Sequence, residues 1–287
     1  MLPGLYSGYN HPVPNAELET YIHEIQSSRK YRELNLPEET LRDLLEQELG
    51  RHRSSKDALK SVRQKLHNIV APYLGDPDYA AAARQLDEAF ASGDPQQVKA
   101  VSRSILEVHA STRERLPALD QFYARLWAVT GVPHTLLDLA CGLHPFGFPW
   151  MGLADSTRYY AYDIHQPRVE LINHYFCLQG LAPLAVSQDI LVSPPQVEAD
   201  VALFFKEAHR FEQRQHGCNR AFWQTLKTQW LLVSLPMESL TRRHSLEAGH
   251  RRLVYNNLEG LGWPVTEVEC EGELVFCIQC QADAAHE

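Results

Sequence analysis

Residues 136–146 read LLDLACGLHPF, and this stretch decides the fold. TLLDLA, residues 135–140, is short and nearly all apolar, which predicts a strand buried on both faces. It carries one acid, Asp138, near its end, and then turns through Ala140, Cys141 and Gly142. Small residues let a backbone turn sharply and approach a ligand closely. Ligands of open α/β sheets bind beyond the carboxyl ends of the strands, so Asp138 is placed where a ligand would sit.

Further strands are predicted downstream in YYAYDI (159–164), LAVSQDI (184–190), ADVALFF (199–205) and QWLLVSLP (229–236). Helical patterns fit between them at 167–178, 216–228 and 247–261. Residues 265–268 and 274–280 predict a terminal hairpin around Glu271 and Gly272. Strands alternating with helices at this spacing imply a mostly parallel sheet covered on both faces.

Upstream the texture is helical. Apolar positions repeat every three to four residues in 15–31, 37–49, 55–70, 79–90, 96–108 and 116–130, and no strand is predicted before Thr135. The expected organisation is a helical amino-terminal domain, residues 1–108, followed by a sheet domain, residues 109–287. The fold class is α/β, with a Rossmann-like sheet.

The second and third predicted strands also lead into acids, Asp163 and Asp189. The G-x-G-x-x-G turn that holds a pyrophosphate is absent. Three carboxylates at the ends of three successive strands suit S-adenosyl-L-methionine instead, which carries an ammonium, a sulfonium and ribose hydroxyls but no phosphate. In that reading Asp163 accepts from the ribose hydroxyls and Asp189 from the adenine amino group. The competing reading makes the aspartates caps of the following helices.

The chain has 287 residues, of which 44% are hydrophobic and 22% charged, with a formal net charge of -9. This supports a real core and argues against a protein coated in positive charge, though a local basic patch can coexist with an acidic remainder. Such a patch is present in RHRSSKDALKSVRQKLH, residues 51–67: Arg51, Arg53, Lys56, Lys60, Arg63 and Lys65 stand against the single acid Asp57. Lys56, Lys60 and Arg63 share one helix face, which can track phosphates without reading sequence. A solvated helix face is the plainer alternative. Arg242, Arg243, Arg251 and Arg252 form a second cluster.

Of six cysteines, only Cys277 and Cys280 have Cys-x-x-Cys spacing. A four-ligand zinc set is absent, and residues three apart on a strand face opposite sides, so buried reduced thiols are expected and no metal. The amino terminus does not read as a secretory signal, and no run of about 18 apolar residues spans a membrane. A reducing cytoplasm is the expected compartment.

The chain resembles the 16S ribosomal RNA guanine-N7 methyltransferases that confer aminoglycoside resistance. The resemblance rests on HASTRERLPALDQFY (109–123), LLDLACGLHPF with PWM (136–151), LFFKEAHRFEQRQHG (203–217) and SLPMESLTRR (234–243), and it runs from about residue 15 to 280. It implies methyl transfer from S-adenosyl-L-methionine to N7 of a guanine in the decoding site. The implied substrate is the assembled 30S subunit, docked by the helical extension, with no DNA partner. Arg115, rather than Arg113, would reach the methionine carboxylate. Asp138, Ala140 and Gly142 line the cofactor loop, Asp163 and Ile164 match the ribose side, and Asp189 and Ile190 the adenine pocket. Lys206 and Arg243 match basic positions near the target. Phe205 and Phe211 are read from the sequence either as walls of the base pocket or as core residues. The family usually reads L-K-T-L-P where this chain has FKEAH, which places Glu207 and His209 at the target side, and asparagine where it has His144. Guanine N7 has an exposed lone pair, so no catalytic histidine is assigned. The sheet alone would also fit a small-molecule or protein methyltransferase, or a silent RNA-binding module.

Overall fold

The computed structural model describes residues 15–70, 75–237, 246–270 and 272–280. The chain forms two compact units, Met1–Leu74 and Gly75–Glu287.

The first unit holds α1 (Asn15–Ser27), α2 (Glu38–Arg51) and α3 (Ser55–Val70). Each buries a stripe at helical spacing: Leu18, Ile22 and Ile25; Leu41, Leu44 and Leu45; Ala58, Val62, Leu66 and Val70. Glu38 and Glu39 lie in the first turn of α2, where the helix dipole favours acids. The helix expected over 15–31 stops at Ser27 because Ser28 takes over the Ile25 carbonyl, with its hydroxyl at 2.7 Å, and the chain turns.

The second unit is built on a seven-stranded sheet of order β3-β2-β1-β4-β5-β7-β6. Its strands are β1 (Thr135–Leu139), β2 (Arg158–Asp163), β3 (Ala185–Ser187), β4 (Ala199–Phe205), β5 (Thr228–Pro236), β6 (Val265–Cys270) and β7 (Glu273–Gln279). β1 to β5 are parallel, and β7 inserts antiparallel between β5 and β6. Alternate residues feed two cores. Leu136, Val201 and Leu203 face one, while Leu137, Leu139, Ala202 and Phe204 face the other.

The helices of this unit are α4 (Tyr79–Ala91), α5 (Pro95–Leu106), α6 (Ala110–Arg113), α7 (Leu119–Thr130), α8 (Phe148–Met151), α9 (Gln166–Leu178), α10 (Ala208–Arg214), α11 (Cys218–Thr225) and α12 (Glu247–Leu258). The compact units divide at residue 75, earlier than the change of texture near residue 108. Ala82, Leu86, Ile105 and Leu106 of α4 and α5 join the sheet's own core, and Phe90 meets Tyr175 of α9 edge-on. Helical periodicity reveals an apolar face but not what covers it. The helix expected over 216–228 is the shorter α11, entered from Gly217 at φ 77°, and α10 precedes it as an element the sequence reading did not expect. Among the described residues no helix is long and apolar enough to cross a membrane. All six cysteines are free; Cys277 and Cys280 lie in the cores of opposite sheet faces, whereas Cys177 is exposed.

Candidate active site

The sheet reverses direction between β1 and β4: β1 leads to β2 and β3 on one side, and β4 to β5 on the other. Ligands of open α/β sheets bind at such a switch point, beyond the carboxyl ends of the strands. The backbone is strained at both strand ends that frame it. Ala140, just past β1, has φ 53°, and Lys206, just past β4, has φ 61°. Left-handed conformations cost L-residues energy and persist only where neighbours over-determine them. Here the Cys141 amide donates to the Tyr162 carbonyl at 2.9 Å and the Lys206 amide to the Ser234 carbonyl at 2.8 Å.

Asp138 is 1% exposed. His144 Nδ1 and the Tyr159 hydroxyl both donate to its Oδ2, each at 2.7 Å. A carboxylate only accepts, so the His144 proton sits on Nδ1, and Nε2 takes the Tyr123 hydroxyl at 2.8 Å. Oδ1 stays outside these bonds and gives the rim a spare anionic acceptor.

Asp163 is more fully engaged. It accepts from the Gly142 amide, the His165 amide and twice from Arg168 Nη1, all at 2.9–3.0 Å. Arg168 is fully buried and also holds Asp76 at 2.7 Å, which His109 and His165 contact at 2.9 and 3.0 Å. Burial pushes the Asp76 carboxyl up, but these donors outweigh it and hold the acid far below its ordinary range. Asp163 thus ties the β1 and β2 loops together, and a ribose hydroxyl would have to share its oxygens with Arg168. Asp189 pairs with both terminal nitrogens of Arg214, at 2.9 and 2.7 Å, and accepts from the Leu191 amide at 3.1 Å. An adenine amino group would compete with that pair. Ile190 is buried beside it, and Ile164 is half-buried.

Arg115 is buried and Arg113 exposed, so the structure separates the two arginines. The Arg115 guanidinium packs against the rings of Phe122 and Phe205, at 4.3 and 4.7 Å from their centroids. Its Nε and Nη2 donate to the two oxygens of Glu273 at 3.2 and 2.5 Å.

Lys206, Phe205 and Phe211 are placed differently from the target-side reading. Lys206 is not a free cation: its ammonium bonds Glu114 at 2.7 Å and the Ser111 carbonyl at 3.1 Å. Phe205 packs on Arg115, Phe122 and His144 instead of forming an open wall. Phe211 is a core residue, edge-on to Phe204 and tilted against Phe222. Arg242 and Arg243 lie outside the described residues. Arg251 is bound by Glu247 and Glu267. Glu207 is buried beside Arg210 at 2.7 Å, and burial raises its carboxyl to about 7 despite that partner. Burial, with the charges of His250 and Arg210, lowers His209 to about 4.

In the first unit, Arg51, Arg53, Lys56, Lys60 and Arg63 are exposed and Lys65 is half-buried. Arg51 and Lys65 pair with the buried Glu48 at 3.1 and 2.7 Å, and Arg63 with Glu24 at 2.5 Å.

Sequence reading missed Glu273, Arg168, Asp76 and Arg214. Arg168 left a trace, since a charged residue stands on the apolar face of α9 with Ile172, Tyr175 and Phe176. So did Glu273, an acid opening the apolar run ELVFCI.

The match to known proteins covers nearly the whole of this architecture. Residues 27–277 match the family model described as ribosomal RNA methyltransferase (FmrO). This chain belongs to that family. It is 31% identical over 271 residues to a 16S rRNA (guanine(1405)-N(7))-methyltransferase of Micromonospora echinospora, covering 93% of this chain and 98% of the relative. A protein of the same description from Serratia marcescens is 35% identical over 219 residues, 76% of this chain and 80% of that one. Among solved structures, the 16S rRNA methyltransferase RmtF in complex with S-adenosyl-L-homocysteine superposes with a TM-score of 0.74 at 28% identity, covering 92% of this chain and 98% of that one. Family membership extends across both compact units, so the three-helix unit is part of the shared architecture and not an appended module.

Proposed function

We propose that this rRNA methyltransferase transfers the methyl group of S-adenosyl-L-methionine to N7 of a guanine in 16S rRNA. The target belongs to the decoding site of the assembled 30S subunit, in the cytoplasm, and its methylation confers aminoglycoside resistance. The observation that carries the reading is the donor set at the β1/β4 switch point of a chain in this family. The spare Asp138 Oδ1 suits an ammonium, the stacked Arg115 suits a carboxylate, and the buried Ile190 supplies an apolar wall. These residues fit the cofactor's charges in kind and sign.

When bound, the cofactor supplies an electrophilic methyl group on a cationic sulfur. The chain's residues then act by positioning. Asp138 and Arg115 fix the amino-acid end, and Asp163, with Ile164, the ribose side. Asp189 and Ile190 frame the adenine. Guanine N7 presents a lone pair at neutral pH, so no residue has to remove a proton before attack. Alignment of the attacking nitrogen with the methyl carbon is what the site contributes. The target base must leave its stack, at about a few kcal/mol, which contacts to the extruded base have to offset. In the first unit, Arg53, Lys56 and Lys60 face solvent on or just before α3 and supply phosphate contacts to the ribosome, with Arg51, Arg63 and Lys65 beside them.

The test is incubation of purified 30S subunits with the protein and cofactor labelled in its methyl group, followed by cleavage at N7-methylguanine and primer extension. One strong stop at a decoding-site guanine is expected. Folded protein that leaves 16S rRNA unlabelled overturns the reading.

A further inference from the structure

We infer that Glu273, at the start of β7, is the positioning residue that presents Arg115 to the methionine carboxylate of the cofactor. The inference rests on the cofactor reading above.

The Arg115 guanidinium packs against Phe122 and Phe205, at 4.3 and 4.7 Å from their centroids, and those rings meet edge-on 5.8 Å apart, so they cover it from adjacent sides. Its N–H donors lie in the guanidinium plane, so an acceptor has to meet them there. Glu273 takes the Nε and Nη2 edge with both of its oxygens, which fixes the rotation of the plane and leaves Nη1 outside the pair. Glu273 is 3% exposed and Arg115 4%, so neither samples other partners in water. Planar, bidentate pairs of this kind add geometric specificity to their energy.

The same carboxylate lies 3.7 Å from the Lys206 ammonium, which Glu114 holds at 2.7 Å. Two cations and two carboxylates thus form a neutral set at the switch point. Without Glu273, Arg115 would lose its bidentate partner and Lys206 one of its two carboxylates. Burial pushes the Glu273 carboxyl up, yet Arg115 and Lys206 hold it down at about 2, so it stays ionised. Its place on the terminal hairpin explains how residues 273 and 115, far apart in sequence, meet at one rim.

Two ligands test the assignment by calorimetry. S-adenosyl-L-homocysteine has the carboxylate, whereas 5′-methylthioadenosine keeps the nucleoside and sulfur but lacks it. Glu273→Gln is expected to weaken the first at least about tenfold and the second less than about twofold. Glu273→Asp, which keeps the charge, should recover part of the loss, and the Michaelis constant for the cofactor should rise more than kcat falls. Equal losses for both ligands in folded Glu273→Gln protein, or unchanged binding of S-adenosyl-L-homocysteine, would overturn the inference. A wild-type protein that binds neither ligand would instead bring down the cofactor reading itself, and the inference with it.

Discussion

The α3 segment and the β1/β4 rim are both rich in charge, yet they use it in opposite ways. On α3, Lys56 and Lys60 stand in solvent, and Arg63 pairs across an exposed surface with Glu24. Such pairs contribute about 0–1 kcal/mol and leave the cations available to an arriving polyanion. At the rim, Arg115, Arg168 and Arg214 are withdrawn from water and each faces carboxylates. Those charges cannot wander, because a broken buried pair leaves an uncompensated ion. One region keeps charge free for recognition; the other immobilises charge to hold a geometry.

The sharpest way to break this contrast is Arg168→Leu. It strips the shared cation from Asp163 and Asp76, and the expected loss of stability is about 3–5 kcal/mol in urea unfolding. A loss below about 1 kcal/mol would mean that the rim's charges are no more committed than those of α3.

Glu207 sharpens it through pH. Its carboxyl rises from 4.5 to about 7 on folding, so the folded state favours the proton. The associated stability is complete below pH 4.5 and is lost as pH rises through about 7, on the order of 3 kcal/mol by pH 8. Glu207→Gln should match the wild type at pH 4.5 and melt higher at pH 8. Parallel melting curves across that range would contradict the buried, proton-favouring environment.

Asp138→Asn is expected to weaken S-adenosyl-L-homocysteine about 10- to 100-fold, the range for hydrogen bonds to a charged group. The measurement is calorimetric titration at constant pH, and unchanged affinity would remove Oδ1 from the site.

The smallest effect on stability belongs to the double reversal of Lys56 and Lys60 to glutamate. Unfolding free energy should move by no more than about 0.5 kcal/mol. Binding to 30S subunits should weaken, with a salt slope reduced by roughly 2. An intact salt slope would show that this face does not meet phosphate.

Much of the architecture was legible. LLDLACGLHPF named the first strand and its turn because a buried strand ending in small residues has few other readings. Five parallel strands and the terminal hairpin followed from short apolar runs, and the three helices of the first unit from helical spacing. The domain boundary did not, since α4 and α5 carry the same helical pattern as α1 to α3 and differ only in which core receives them.

The sequence by itself determined the kind of charge at each strand end, and the ordered motifs that mark the family. It also left Lys56 and Lys60 on an open helix face, because burial of Ala58, Val62 and Leu66 dictates where their neighbours point. Only the tertiary structure decided which charges are free. It gave Lys206 to Glu114, Asp189 to Arg214, Asp163 to Arg168 and Arg115 to Glu273. Two of these partners come from elements distant along the chain. A desolvated charge is stable only beside its counter-ion, so three-dimensional proximity settles the pairing, and local pattern carries no record of it.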